Sequence, residues 1–219
     1  MGSHRSTHAG ESGPAALPRL FSPESQRERL LDAMAQTVSQ RGYATTSVAD
    51  VLKVARISRR TFYEQFIDKE DCFLAAYDEI AALCTERVVA AYRSQPEWED
   101  GLARGYDALL HVLAAEPWFA RLGVVEVLAA GPRALLRRDE TLRRFAAFVA
   151  QLRSEIDLAE PPPDLVAQAL GGGIYELIYS QLVRQQTNLL PTLADELLHF
   201  TFMLLGVERR PAVPEADKV

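Results

Sequence analysis

Cysteine is scarce in this chain: there are two among 219 residues, Cys72 and Cys84. Both fall in one helix-periodic stretch, and twelve residues at ~1.5 Å each set them roughly 18 Å apart, beyond disulfide reach. That excludes a disulfide between them, and the thiols read as small core residues of a reduced, cytoplasmic protein. No apolar run approaches the ~18 residues of a membrane helix, and no signal-peptide pattern appears, so neither a membrane span nor a membrane partner is expected. Alternating strand patterning is missing, which argues against a sheet. Of the four histidines, none makes a pair at metal-ligand spacing. His4 and His8 lie in a low-complexity tail, and His111 and His199 are solitary and off the main apolar stripes of their helices. The glycine run at Gly171, Gly172 and Gly173 leads into an apolar helix without a phosphate-binding lysine, so it is no nucleotide cradle. Glu97 and Glu99 beside Trp98 read as a solvated helix start rather than acid–base machinery. No catalytic residue, metal or cofactor is expected from this inventory.

What remains is an ordinary globular composition, 48% hydrophobic and 25% charged, with length for one to two domains and a sizeable core. The formal net charge of −6 argues against a nucleic-acid binder only if charge is taken globally. Binding needs a local basic surface, and Lys53, Arg56, Arg59, Arg60 and Lys69 cluster while the acids spread over the remainder.

That cluster sits on a short pattern from Ile57 to Phe66. Ser58 is placed to cap a helix, Phe62 and Phe66 fall four apart on one face, and Ile57 precedes the cap as a staple. Arg59, Arg60, Thr61 and Tyr63 occupy the other face, where each can donate to phosphates or base edges. A helix this short needs support from its surroundings. Upstream, Ser47 and Asp50 form a capping signal for a second short helix whose buried stripe is Val48, Val51, Leu52 and Ala55. Two short helices across the turn Ala55-Arg56-Ile57, the second one basic, make a helix-turn-helix pattern.

Thr46-Ser47-Val48 through Val51, Ala55, Ile57-Ser58, Thr61-Phe62-Tyr63, Phe66 and Lys69-Glu70 together resemble the N-terminal DNA-binding domain of TetR-family transcriptional regulators, over roughly residues 22–77. Arg56 departs from the pattern, standing where the family usually has glycine. The resemblance implies an all-α fold of about nine helices and a double-stranded DNA operator as partner. On it, Arg59 and Arg60 are base-reading candidates, Thr61 meets a thymine methyl or a phosphate, and Thr46, Ser47, Ser58, Tyr63 and Lys69 complete the DNA-binding set.

Residues 1–21 are rich in Gly, Ser, Pro and His without period and read as a disordered tail. Ser22, Pro23 and Glu24 signal the start of a first helix carrying Leu30, Leu31, Met34 and Val38, closed by Gly42. With it, residues 22–70 form the helix-turn-helix domain. Asp68 to Asp71 opens a long helix to about Arg93, the natural link to a second domain over residues 71–207. Prolines then punctuate blocks at about 97–115, 117–130, 133–157, 164–187 and 191–206. A tail, 208–219, follows.

The second domain is read as a ligand-binding and dimerisation body. Leu83, Arg87, Tyr106, Leu110, Leu113, Trp118, Leu122, Phe148, Leu152, Tyr175 and Tyr179 are its pocket candidates, suited to a small lipophilic effector. The resemblance implies a homodimer through the last two long helices, with Leu177, Leu182, Leu197, Phe200 and Leu204 at the interface. The expected function is a transcriptional regulator, a repressor released from a near-palindromic operator by its effector. The competing readings are a helical small-molecule-binding protein or enzyme with a vestigial helix-turn-helix, and a DNA-binding dimer without a ligand.

Overall fold

The computed structural model describes residues 23–152 and 164–207, with no account of the side chains of residues 150–152 and 164. The expected tails and the end of the 133–157 block therefore lie largely outside the described residues. Within them there are nine α-helices, two 3₁₀ helices and no strand. The helices are α1 (Gln26–Arg41), α2 (Val48–Ala55), α3 (Arg59–Gln65), α4 (Lys69–Arg93), α5 (Trp98–Ala115), α6 (Pro117–Val124), α7 (Pro132–Leu152), α8 (Asp164–Val183) and α9 (Ala194–Leu205).

Helix starts follow capping chemistry where the sequence offers it. Ser25, not Ser22, caps α1: its Oγ accepts from the Glu28 amide at 3.1 Å, while Glu28 accepts from the Ser25 and Glu24 amides. That reciprocal box satisfies more orphan donors than a proline start could, which is why the later serine wins. The expected 117–130 block breaks into α6 and a 3₁₀ turn, Glu126–Ala129, and the 191–206 block is preceded by another, Thr187–Leu193, with Pro191 inside it.

Two apolar cores organise the helices. The first gathers Leu30, Leu31, Met34 and Val38 of α1, Val51 and Ala55 of α2, and Phe62 of α3, all buried. It continues into Cys72, Phe73, Leu74, Tyr77 and Ile80 of α4 and takes in Phe119 and Leu122 of α6. The first core thus crosses residue 70 and joins the helix-turn-helix to the body. The second core lies between α5, α8 and α9, around Tyr106, Leu110, Leu170, Ile174, Leu197 and Phe202. Cys72 and Cys84 share α4, and desolvation raises both thiols, Cys84 to about 12, so neither is a thiolate at neutral pH.

Close helix approaches depend on glycine. A Cβ on Gly101 would lie 2.8 Å from the Tyr92 carbonyl oxygen, so only glycine lets α5 cross α4 there. On α8, Gly173 leaves room for the Phe200 ring of α9, 2.8 Å from where a Cβ would sit, and Gly171 faces Phe145 of α7 at 3.2 Å. These contacts offset the helix cost of two of the three consecutive glycines; Gly172 has nothing within 4 Å. Gly101→Ala is expected to cost about 1–3 kcal/mol by overpacking, more than Gly173→Ala, because a backbone carbonyl cannot move aside as a ring edge can. Urea unfolding of the two variants checks that order.

Candidate nucleic-acid interface

The recognition helix α3 has seven residues and is held from below. Ser58 caps it, its Oγ accepting from the Thr61 amide at 3.1 Å. Phe62 and Phe66 are buried beneath it, with the Arg27 guanidinium 5.0 Å from the Phe66 ring centroid. Facing outward are Arg59, Arg60 and Tyr63, the last half exposed. Arg60 donates through Nε to Glu64 at 2.9 Å one turn on, which leaves the two terminal nitrogens of its fork to point away. Thr61 shares its hydroxyl with Ser58 at 3.0 Å.

The remaining sequence-derived DNA contacts are less available. Thr46 is buried and its hydroxyl donates to the Gly42 carbonyl at 2.8 Å, which corrects the expectation of a phosphate-binding side chain there. Ser47 caps α2, accepting from the Asp50 amide and donating to the Asp50 carboxylate at 2.6 Å. Lys69 lies beneath the interface rather than on it: Nζ donates to the Tyr43 and Thr46 carbonyls, each at 3.0 Å, and rests 3.9 Å from the Tyr43 ring centroid. Desolvation lowers its pKa. With two of three ammonium protons engaged inside the protein, Lys69 is first a clamp on the loop before α2. The Ser47 hydroxyl holds the Asp50 carboxyl below its ordinary value, and the Ser25 amide does the same for Glu28. Both caps therefore contribute fully above the usual carboxylate range and are lost as pH falls below it, through the lowered values.

The turn between α2 and α3 contains the departure noted in the sequence. Arg56 adopts φ 55°, ψ 45°, the left-handed conformation, and its amide donates to the Leu52 carbonyl as α2 ends. The turn keeps the shape glycine would give it, on an arginine.

A buried carboxylate ties this unit to the body. Glu126, in the 3₁₀ turn after α6, accepts from the Tyr43 amide at 2.9 Å and lies 3.5 Å from Nε of Arg121. It is almost fully buried. Arg133 and Arg137 of α7 add ion pairs to Glu70 and Asp78 of α4, at 3.2 and 3.6 Å, and the Tyr77 hydroxyl donates to Thr141 at 3.0 Å. Sequence reasoning did not find this strut. Its trace was a lone acid in the apolar run Val124-Val125-Glu126-Val127-Leu128, the pattern of a carboxylate buried with a partner.

The pocket candidates divide between the two cores. Tyr106, Leu110, Leu113 and Phe148 belong to the second, Tyr106 donating or accepting with Thr201 at 2.6 Å and Phe148 edge-on to Tyr92. Leu83, Trp118 and Leu122 instead pack in or against the first core, so the eleven do not line one cavity. Arg87 is exposed, and Leu152 carries no described side chain. The Tyr175 hydroxyl donates to the Val124 carbonyl, its ring lies under Arg138, and it stacks on Tyr179. Between α4 and α6, Glu79, Ile80, Leu83, Glu116 and Phe119 border a crevice too narrow to admit a water molecule. A groove of about 460 Å³ with paired charges on its walls runs outside α4, between Arg27 and Arg133.

Among the expected dimer residues, Leu182 and Leu197 are buried within the protomer's own core, which removes them from an interface. Their stripes turn inward because α9 packs against α5 and α8 packs against α6, α7 and α9. Phe200 and Leu204 are half-buried and Leu177 is exposed. Leu165, Val183 and Met203, at 71%, 47% and 62% exposure, carry the apolar surface of that side.

Comparison with known proteins agrees with this architecture. Residues 30–76 match the family model described as bacterial regulatory proteins, tetR family. The HTH-type transcriptional regulator UidR of Escherichia coli K12 is 28% identical over 165 residues, covering 71% of this chain and 79% of the relative. The fatty acid degradation regulator FadR of Bacillus halodurans shares the fold at TM-score 0.74 and 18% identity, over 86% of this chain and all of that one. FadR of Bacillus subtilis, solved with stearoyl-CoA, superposes at TM-score 0.71 with 19% identity, over 83% of this chain and 98% of that one.

Glu126→Ala is expected to leave the buried Tyr43 amide without its acceptor, at a cost of about 1–3 kcal/mol. Denaturant titration of the variant checks the loss, and hydrogen exchange at Tyr43 should rise with it.

Proposed function

We propose that the chain is a TetR-family transcriptional regulator that works as a homodimeric repressor, its operator affinity falling when a small lipophilic effector enters the helical body. The observation that carries this reading is the coupling just described. An exposed basic helix, α3, rests on a core that runs without interruption into α4 and α6, with Glu126 bridging to Tyr43. Arg59, Arg60 and Tyr63 enter a major groove. Ser47, Ser58 and Thr61 orient the helix starts, and Lys69 holds the loop behind them. A two-fold dimer presents two such helices, so the operator is near-palindromic, with half-sites about 34–36 Å apart or otherwise set by the dimer. Homologues of this kind are DNA-binding regulators rather than enzymes.

The effector enters between α4 and the second core. Val88 of α4 packs near Gly105 of α5, so a ligand lodged among Tyr106, Leu110 and Leu113 displaces α4. Moving nearly all dimers from competent to incompetent requires about 5.5 kcal/mol of differential binding. A ligand burying roughly 200 Å² more apolar surface in one state supplies that. The fold neighbour solved with stearoyl-CoA makes acyl thioesters the first class to try. Linkage requires operator to weaken effector binding by the factor that effector weakens operator binding.

The second copy packs on the outer side of α8 and α9. There Leu165, Ala169, Gly172, Leu177 and Val183 are exposed on α8, with Glu176 among them, and Met203 is exposed on α9 near half-buried Phe200 and Leu204. Gly172, open in the protomer, gives the partner helix a close approach.

Selection of bound sequences from random duplex DNA should return a near-palindrome, and failure to enrich any site would defeat the repressor reading. Trp118 emission, read in a Trp98→Phe background, should change with saturation on adding an acyl-CoA, and operator should shift that titration to higher concentration. A titration indifferent to operator would leave a DNA-binding dimer with no regulatory pocket. Met203→Glu should convert the dimer to folded monomers in sizing chromatography, with helical content kept because the residue lies outside the protomer core. A wild-type monomer at micromolar concentration would sink the dimer.

A further inference from the structure

We infer that Arg56 is a DNA-phosphate contact built into the turn of the helix-turn-helix, retained there at the expense of backbone strain. The inference rests on the reading that the α3 face binds DNA. Arg56 is one of two described non-glycine residues with positive φ, the other being Gln185 near the end of α8. Glycine adopts that conformation without steric cost, whereas an L side chain meets the following carbonyl oxygen. The turn itself gains nothing from the arginine side chain. Its closing bonds, from the amides of Arg56 and Ile57 to the Leu52 carbonyl, use backbone alone.

What arginine adds is an exposed guanidinium with no acid opposite it among the described residues. Elsewhere, Arg41, Arg60, Arg133 and Arg137 each face a carboxylate, to Asp50, Glu64, Glu70 and Asp78. Lys53, Arg56 and Arg59 recur at intervals of three, all exposed, from the outer side of α2 through the turn to the first residue of α3. Three unpaired, exposed cations within seven consecutive residues of a protein of net charge −6 make a local basic segment. Strain at an exposed position is kept where the side chain has work to do. Since Arg56 lies off α3, it does not follow that helix into a groove. Its ligand is the sugar–phosphate backbone flanking the bases that Arg59 and Arg60 face, and its contribution is affinity without sequence preference.

The test compares the full-length wild type with Arg56→Gly, Arg56→Asn, Arg56→Lys and Arg60→Ala. Each is titrated with a labelled mixed-sequence duplex of about 30 base pairs across about 50–200 mM salt, with melting followed in parallel. Arg56→Gly should melt higher than wild type yet bind about tenfold more weakly at the lower salt, the size of one lost charge-assisted bond. Its slope of log affinity on log salt should fall by about one per protomer engaged. Arg56→Asn tolerates the left-handed turn without the charge and should show the same loss, while Arg56→Lys should keep the slope. On a selected operator the loss should be alike for matched and mismatched sites, whereas Arg60→Ala should flatten that difference. A glycine variant that gains stability with affinity and salt slope unchanged would overturn the inference, as would a weakened variant whose slope does not move. A wild type that fails to bind duplex at any of these salts would instead remove the DNA-binding reading beneath it.

Discussion

Burial of one face of α1 holds the molecule in its working arrangement. Leu30, Leu31, Met34 and Val38 are fully inaccessible because α1 meets α2, α4 and α6 at once. A seven-residue recognition helix has no independent stability in water. It exists because Phe62 and Phe66 reach down into the core that α1 anchors. Since the same core includes Phe73, Tyr77, Phe119 and Leu122, displacement of α4 or α6 cannot leave the recognition helix where it was. Close packing of this kind passes on small shifts because it has few voids to absorb them.

Polar contacts give that apolar weld its direction. Glu126 meets the Tyr43 amide where α1 hands over to α2, and Lys69 takes the Tyr43 and Thr46 carbonyls from the other side. The loop between α1 and α2 is thereby gripped by the body through an acceptor and by α4 through a donor. Glu126 is almost fully buried and Lys69 part-buried, and a hydrogen bond to a charged partner is stronger and its loss more damaging the less water reaches it. The polar residues of the sequence motif are thus not all turned outward. Some are the fittings that aim Arg59, Arg60 and Tyr63.

Electrostatics is arranged in the same economical way. Arg133 and Arg137 of α7 face carboxylates of α4, and Arg138, Arg143 and Arg144 face carboxylates of their own helix, so their charge is spent internally. Lys53, Arg56 and Arg59, at and around the turn, are exposed and carry no ion pair among the described residues. A protein with an acidic total can still present a basic edge, and the acidic remainder discourages unspecific contact elsewhere.

Much of this was determined by the sequence on its own. Capping residues Ser47, Ser58 and Asp68, apolar spacing and proline punctuation located eight of the nine helices within a few residues, because these signals act over one or two turns. The outward set Arg59, Arg60 and Tyr63 was legible for the same reason: a short amphipathic helix has only two faces. Tertiary structure alone decided the rest. Whether Ser22 or Ser25 starts α1 depended on which cap completed a reciprocal bond. Whether Leu182 and Leu197 face a partner or the protomer depended on where α5, α6 and α7 lie, and spacing within α8 and α9 carries no record of that. Thr46 and Lys69 look like phosphate donors until the carbonyls of Gly42, Tyr43 and Thr46 are brought within 3 Å of them. Glu126 and Tyr43 are 83 residues apart, and no local rule pairs an acid with an amide at that distance. Helical periodicity is local and survives in the chain, whereas the identity of each buried polar group's partner is settled only when the helices close around it.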